Sequence, residues 1–295
     1  MLIAGQFLAL GAAACWAHNS VVYARAGVRV GSGAVAHIRL WIALPIMFVV
    51  HLAFLGRLLP VGEIKSIAIL AVSGFLGFFV ADVFLFRGFV EIGSRETLVI
   101  LTLSPIAAAT ISWFVLGEKL SSLQISGIAI TIAGVSWLIA AEQRDSQDRR
   151  RSARGFVWAL LGSGTQALGM VLAKQGLSET FHPISANVVR MSAGLIGLVA
   201  YRMVGGNFFK DFASMKDRRA LLLIGEGATV GPVAGIIMNL YALSLAPVGV
   251  VTTLMGTSPI LLLPVEKFLM RRKIPISAYI ATIVAVSGTV LLFIR

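Results

Sequence analysis

Ten apolar runs, each of about 20 residues, occupy most of this 295-residue chain, and that single feature decides what it can fold into. They cover 3–22, 36–55, 66–86, 97–116, 122–141, 155–175, 185–204, 220–243, 247–266 and 275–294, bounded by charged residues or Gly/Pro clusters. At a rise of about 1.5 Å per residue, a helix of that length crosses a hydrocarbon core of about 30 Å. Within lipid the backbone polar groups must be satisfied inside the segment, so each run is predicted to be a helix. The narrowest break falls between the fourth and fifth runs, at 117–121. Composition agrees: 58% of residues are hydrophobic and 13% charged, where a soluble domain carries roughly 25% charge. The expected product is an all-α integral membrane protein with ten transmembrane helices, and neither a soluble domain nor a disordered chain fits.

The formal charge of +12 does not point to a nucleic-acid partner, because the basic residues lie between the runs and form no recognition face. Eighteen of the 25 Lys and Arg follow odd-numbered runs, five follow even-numbered ones or the last, and Arg39 and Arg190 fall inside runs. Cationic loops stay in the cytoplasm, so this bias places the linker 142–154 on the cytoplasmic side of a bacterial-type plasma membrane and both termini outside. No cationic segment precedes the first run, which therefore reads as a permanent span rather than a cleaved signal. Cys15 is the only cysteine, which excludes an internal disulfide framework.

A shift of 154 residues lays Ser104-Pro105-Ile106 on Ser258-Pro259-Ile260, Phe114 on Phe268, Lys119 on Lys273, Gly134 on Gly288 and Leu138 on Leu292. A shift of 151 lays Arg39 on Arg190. The chain thus divides into one five-helix copy over 1–141, the charged linker 142–154, and a second copy over 155–295. Five is odd, so the copies insert with opposite topology. Inverted repeats of this kind place a binding site near the midplane between the halves and alternate its access by rocking.

These repeated motifs carry a resemblance. The Ser-Pro of runs 4 and 9, the Gly117-Glu118-Lys119 after run 4 and the late glycines Gly134 and Gly288 resemble the drug/metabolite transporter superfamily, in its ten-helix EamA branch. The resemblance implies a secondary transporter, often an exporter of amino acids or other small metabolites, with helices 5 and 10 peripheral to a central cavity. It also implies cytoplasmic termini, against the charge bias. The second copy departs from the family pattern by carrying Arg271-Arg272 where the first has Gly117-Glu118. Small four-helix relatives keep a glutamate in their first helix, whereas this first run has no acid.

Ionisable and polar residues inside spans are costly and mark function. Asp82 shares a helical face with Phe78 and Phe79, an aromatic surface expected to line the cavity; the alternative is an ion pair with Arg39. Ser73, Gly77 and Ala81 form a small-residue stripe that recurs as Gly227, Gly231 and Gly235, which predicts close approach of helices 3 and 8. Asn239 and Tyr241 in helix 8, Trp16, His18 and Asn19 in helix 1, and Thr165 and Gln166 in helix 6 complete the expected cavity lining. Asp82, Glu226 and His18 are the candidates for proton or ion coupling, Glu226 having Arg219 or a neighbour as an alternative partner. Arg39 and Arg190 either snorkel to the interface or hold an anion. Pro105 and Pro259 are expected kink points.

The leading function is secondary active transport of small organic solutes, amino-acid-like or amphipathic and cationic, with export the expected direction. A second form is exchange of anionic or phosphorylated metabolites through Arg39 and Arg190. A membrane-embedded enzyme lacks support: there is no HExxH, no GxSxG and no paired intramembrane aspartates. A channel or scaffold is the remaining class. No GxxxxGK[ST] loop is present, so no ATPase subunit is expected; neither are a cofactor or a metal, and the partners are solute and lipid, with a monomer or homodimer as the assembly.

Overall fold

A computed structural model of the chain describes residues 2–92, 100–101, 103–141, 153–177, 181–258, 260–261 and 276–291. Every regular element among them is helical: α1 Leu2–Val30, α2 Ser32–Leu55, α3 Ile64–Phe75 continued through Leu76–Val80 and Ala81–Ile92, α4 Ser104–Leu116, and α5 Ser122–Ala141. The second copy supplies α6 Ala153–Gly176, α7 Pro183–Val204, α8 Arg218–Leu245, α9 Val248–Met255 and α10 Ile276–Leu291. Six of these, α1, α2, α3, α6, α7 and α8, are long and apolar enough to cross a membrane, and α4, α5 and α10 are shorter apolar helices.

The helices outrun the apolar stretches that announce them. α1 continues past residue 22 to Val30 and α2 starts at Ser32, so Arg25 and Arg29 lie on helical turns, not in a loop. Hydropathy marks only the part of a helix that lipid surrounds; hydrogen bonding carries it further. What separates α1 from α2 is Gly31 at φ 85, a backbone setting that side-chain-bearing residues resist. Gly117 at φ 66 likewise ends α4, where the narrowest break was expected. Pro105 starts a helical segment instead of kinking one: it occupies the first turn of α4, where its missing N–H costs nothing. Pro259 and most of the linker 142–154 lie outside the described residues.

Two packets form, each mixing the copies. α3 packs on α6 and α7, with α4 on α6; α8 packs on α1 and α2, with α9 on α1. The α2–α7, α4–α9 and α7–α8 contacts are the main joins between the packets, while α5 and α10 pair with each other. That pair shows the repeat symmetry directly. A Cβ on Gly134 would come within 2.4 Å of the backbone of Ala285, and one on Gly288 within 2.5 Å of Thr131, the residue that the 154 shift lays on Ala285.

The small-residue stripes join other helices than expected. Ser73 donates to the carbonyl of Gly169 on α6 at 2.6 Å, and a Cβ on Gly169 would meet Gly77. Gly227, Gly231 and Gly235 instead receive Tyr23, Asn19 and Cys15 of α1. The stripes therefore seat α3 on α6 and α8 on α1, not α3 on α8. A second symmetric feature accompanies them: α3 widens to a π-helix at Leu76–Val80 and α8 at Thr229–Gly235, stretches that the same shift superposes. Such widenings are rare and cluster at functional sites.

Candidate functional site

Arg39 and Asp82, read separately from the sequence, form an ion pair in the structure. Arg39 lies in the third turn of α2 and is 7% exposed; Asp82 lies just past the π segment of α3. Two opposite charges at membrane depth are tolerated because each neutralises the other. Tyr23 of α1 covers the pair, its ring centroid 5.8 Å from the Arg39 guanidinium carbon and its buried hydroxyl without a hydrogen bond. One turn earlier, Asn19 donates to the carbonyl of Gly227 at 3.0 Å and leaves its own Oδ1 unpaired. His18 Nε2 and Glu226 Oε1 meet at 2.9 Å, both side chains substantially exposed. Helices α1, α2, α3 and α8 thus bring all three coupling candidates together as two acid–base pairs.

The symmetry mate of Arg39 is placed differently. Arg190 on α7 is 2% exposed, its Nε and Nη1 make no hydrogen bond, and it has no ion-pair partner among the described residues. It lies against α3, with Phe78 at 5.7 Å and its Nη2 facing the bare Cα of Gly77. Three residues earlier Asn187 donates to the carbonyl of Pro232, in the π segment of α8, at 2.9 Å. Asn239 of α8 reaches Met170 of α6 at 3.3 Å, and the Oδ1 atoms of Asn187 and Asn239 are both buried and unpaired. Buried polar groups are nearly always hydrogen-bonded, so the orphaned ones on α1, α2, α7 and α8 make the junction of these helices the candidate site.

Residues 3–140 and 153–294 match the model of the EamA-like transporter family, one match per copy. The chain belongs to that family. A crystal structure of a protein 15% identical covers 97% of this chain and 95% of its own with a TM-score of 0.75, which shows the same fold. No curated protein matches the sequence. The unmatched stretch between the two family segments is essentially the charged linker. The EamA family is a transporter family, so the protein is a multi-pass membrane transporter by membership, and membership points away from catalysis.

Other expected site residues of this EamA protein fall elsewhere. Phe75 and Phe79 meet edge to face at 5.0 Å and fill the notch at Gly197 of α7, with Tyr201 at 5.8 Å from Phe79, so much of the aromatic face of α3 serves helix packing. Thr165 gives its hydroxyl to the carbonyl of Leu161 in its own helix, and the neighbouring Gln166 is half-buried. Trp16 is half-buried with its indole N–H unpaired. Tyr241 lies towards the weakly charged end of the bundle, 3.0 Å from Nε2 of His182. His182 caps α7: its Nδ1 accepts from the backbone N–H of Ile184, which puts the neutral ring's proton on Nε2 and makes that nitrogen the donor to Tyr241. Burial above all, then the nearby His51 and Arg57, holds the His182 imidazole below its ordinary pKa, in keeping with a neutral cap.

Sequence reasoning missed Tyr23, Asn187 and the function of Glu118. Tyr23 stands four residues beyond Asn19 and Asn187 three before Arg190, spacings that place each on a face already singled out. Glu118 forms an ion pair with Lys174 at the end of α6 and accepts from the backbone N–H of Val248 at 2.9 Å, while Lys174 donates to the carbonyl of Ala246 at 2.6 Å. The family-like Gly-Glu-Lys break therefore ties α4 and α6 to the junction of α8 and α9.

Proposed function

We propose that this EamA-family protein is a secondary active transporter that exports small organic solutes, amino-acid-like or amphipathic and cationic, by alternating access. The observation that carries the reading is the Arg39–Asp82 pair, which links α2 of one packet to α3 of the other within the apolar depth of the bundle. A proton taken up by Asp82 removes its charge and frees the guanidinium, which gives the packets a reason to move when a proton arrives. Tyr23 and Asn19 stand at the same junction with unpaired polar atoms for a solute. Eighteen of the 25 basic residues follow odd-numbered apolar runs in the sequence, and the positive-inside rule assigns that side to the cytoplasm, with both termini outside.

The test is counterflow in proteoliposomes. Saturable exchange of a labelled solute is expected with wild-type protein, and Asp82→Asn is expected to lose uptake driven by a pH gradient while keeping exchange. A pH dependence left unchanged by Asp82→Asn would overturn the coupling, and non-saturable flux would mean a channel. A C-terminal reporter active only in the cytoplasm should stay silent; a signal from it would invert the orientation. An exchanger of anionic metabolites is the second reading, and the observation favouring it is the bare guanidinium of Arg190, since Arg39 already holds Asp82.

A further inference from the structure

We infer that Arg190 is the receptor for an anionic group of the transported solute, a carboxylate in the first place, and this rests on the transport reading above. The repeat makes the argument. Arg39 and Arg190 occupy equivalent positions, and the first copy supplies Arg39 with a carboxylate, Asp82. The 154 shift lays Asp82 on Ile236, which is buried and apolar, so the second copy has no acid at the corresponding position.

A guanidinium stays charged at any physiological pH, and one buried in an apolar bundle without a counter-charge is strongly unfavourable. Among the described residues nothing within ion-pairing distance neutralises Arg190, and two of its nitrogens have no acceptor. The third, Nη2, faces the place where Gly77 has no side chain, beside the Phe78 ring. The site thus presents a fork of N–H donors packed against Gly77 of α3 and the Phe78 ring. A carboxylate matches the fork in two parallel hydrogen bonds, and the ring suits an aliphatic or aromatic body attached to it. Inorganic or organic phosphate shares that anionic chemistry without the apolar body.

The experiment compares acids with their amides on purified full-length protein in detergent micelles. Leucine, methionine and phenylalanine are each titrated against leucinamide, methioninamide and phenylalaninamide, with inorganic phosphate as a separate arm, and binding is read by thermal shift. At least one acid is expected to bind while its amide does not. Arg190→Lys is expected to weaken that binding about tenfold, because the charge remains and the fork is lost, and Arg190→Gln to abolish it. Equal binding of acid and amide, unchanged affinity in Arg190→Lys, or no binding by any acid or by phosphate would each overturn the assignment. Binding by phosphate alone would support the anion site and move the solute class to phosphorylated compounds. Counterflow separates the two readings: a cationic solute carried undiminished by Arg190→Gln overturns the anion site and leaves transport standing, whereas wild-type protein that binds an acid but shows no counterflow refutes transport alone.

Discussion

Asp82 draws its significance from Arg39, and removing either leaves the other buried without a partner. Breaking such a pair from one side typically costs about 3–5 kcal/mol, while replacing both partners by apolar residues is often close to neutral. Arg39→Met should therefore lower the melting temperature in detergent clearly, and Arg39→Met with Asp82→Leu should recover most of the loss; a double variant as unstable as the single one would show that the pair adds no such strain when broken. His182 supports a second prediction. Its folded pKa lies below the ordinary value, so the unfolded chain takes up the proton first as pH falls, and the stability present above about pH 6.5 is lost below it. Asn is also a good helix cap and does not titrate, so His182→Asn should flatten the fall in melting temperature between pH 7 and pH 5. At this scale the sequence named most of the right residues and few of their partners. His18 and Glu226 stand out as polar groups inside apolar runs, but they lie 208 positions apart, and spacing along one helix carries no information about which helix faces it.

The helices were legible because backbone hydrogen bonding in lipid leaves no other choice, and α4 and α5 end and begin where a five-residue break said they would. Their pairing was not. A stripe of small residues announces that something approaches closely without saying what, and Gly227 and Gly231 receive Tyr23 and Asn19 of α1 where the stripe alone suggests α3. Gly74 of α3 and Gly31, between α1 and α2, make sharper predictions. A Cβ on Gly74 would stand 2.0 Å from the carbonyl oxygen of Arg190, which is backbone and has no rotamer to move. Gly74→Ala should force α3 and α7 apart at a cost of about 1–3 kcal/mol and disturb Arg190. Gly31→Ala meets nothing and tests only its positive φ. If Gly74→Ala melts with wild-type protein, the α3–α7 seat is looser than its contacts indicate.

For the molecule as a whole, the alternating access proposed above requires that both ends of the bundle open in turn, and the contacts that tie the helices together differ between the two ends. At the richly charged end Arg29 holds Asp217 at 2.8 Å, and Asp211 receives Arg202 at 2.5 Å and His37 at 2.9 Å. At the other end a knot adds to the His182–Tyr241 contact: Glu118 and Lys174 pair with each other and bind the backbone at Val248 and Ala246, on α9 and at the end of α8. That knot joins α4 and α6 of one packet to α8 and α9 of the other, so opening this end has to break it. Replacing its charges should ease opening, and fixing its position should forbid it. With Cys15 changed to serine, the variant Glu118→Cys with Lys174→Cys is expected to run counterflow before cross-linking, to stop when a short thiol-reactive cross-linker joins the two positions, and to resume when a reducible form of the linker is cleaved. Counterflow that persists through complete cross-linking would mean that the packets do not separate here, and the rocking motion would have to be sought along α7, where it meets α2 and α8.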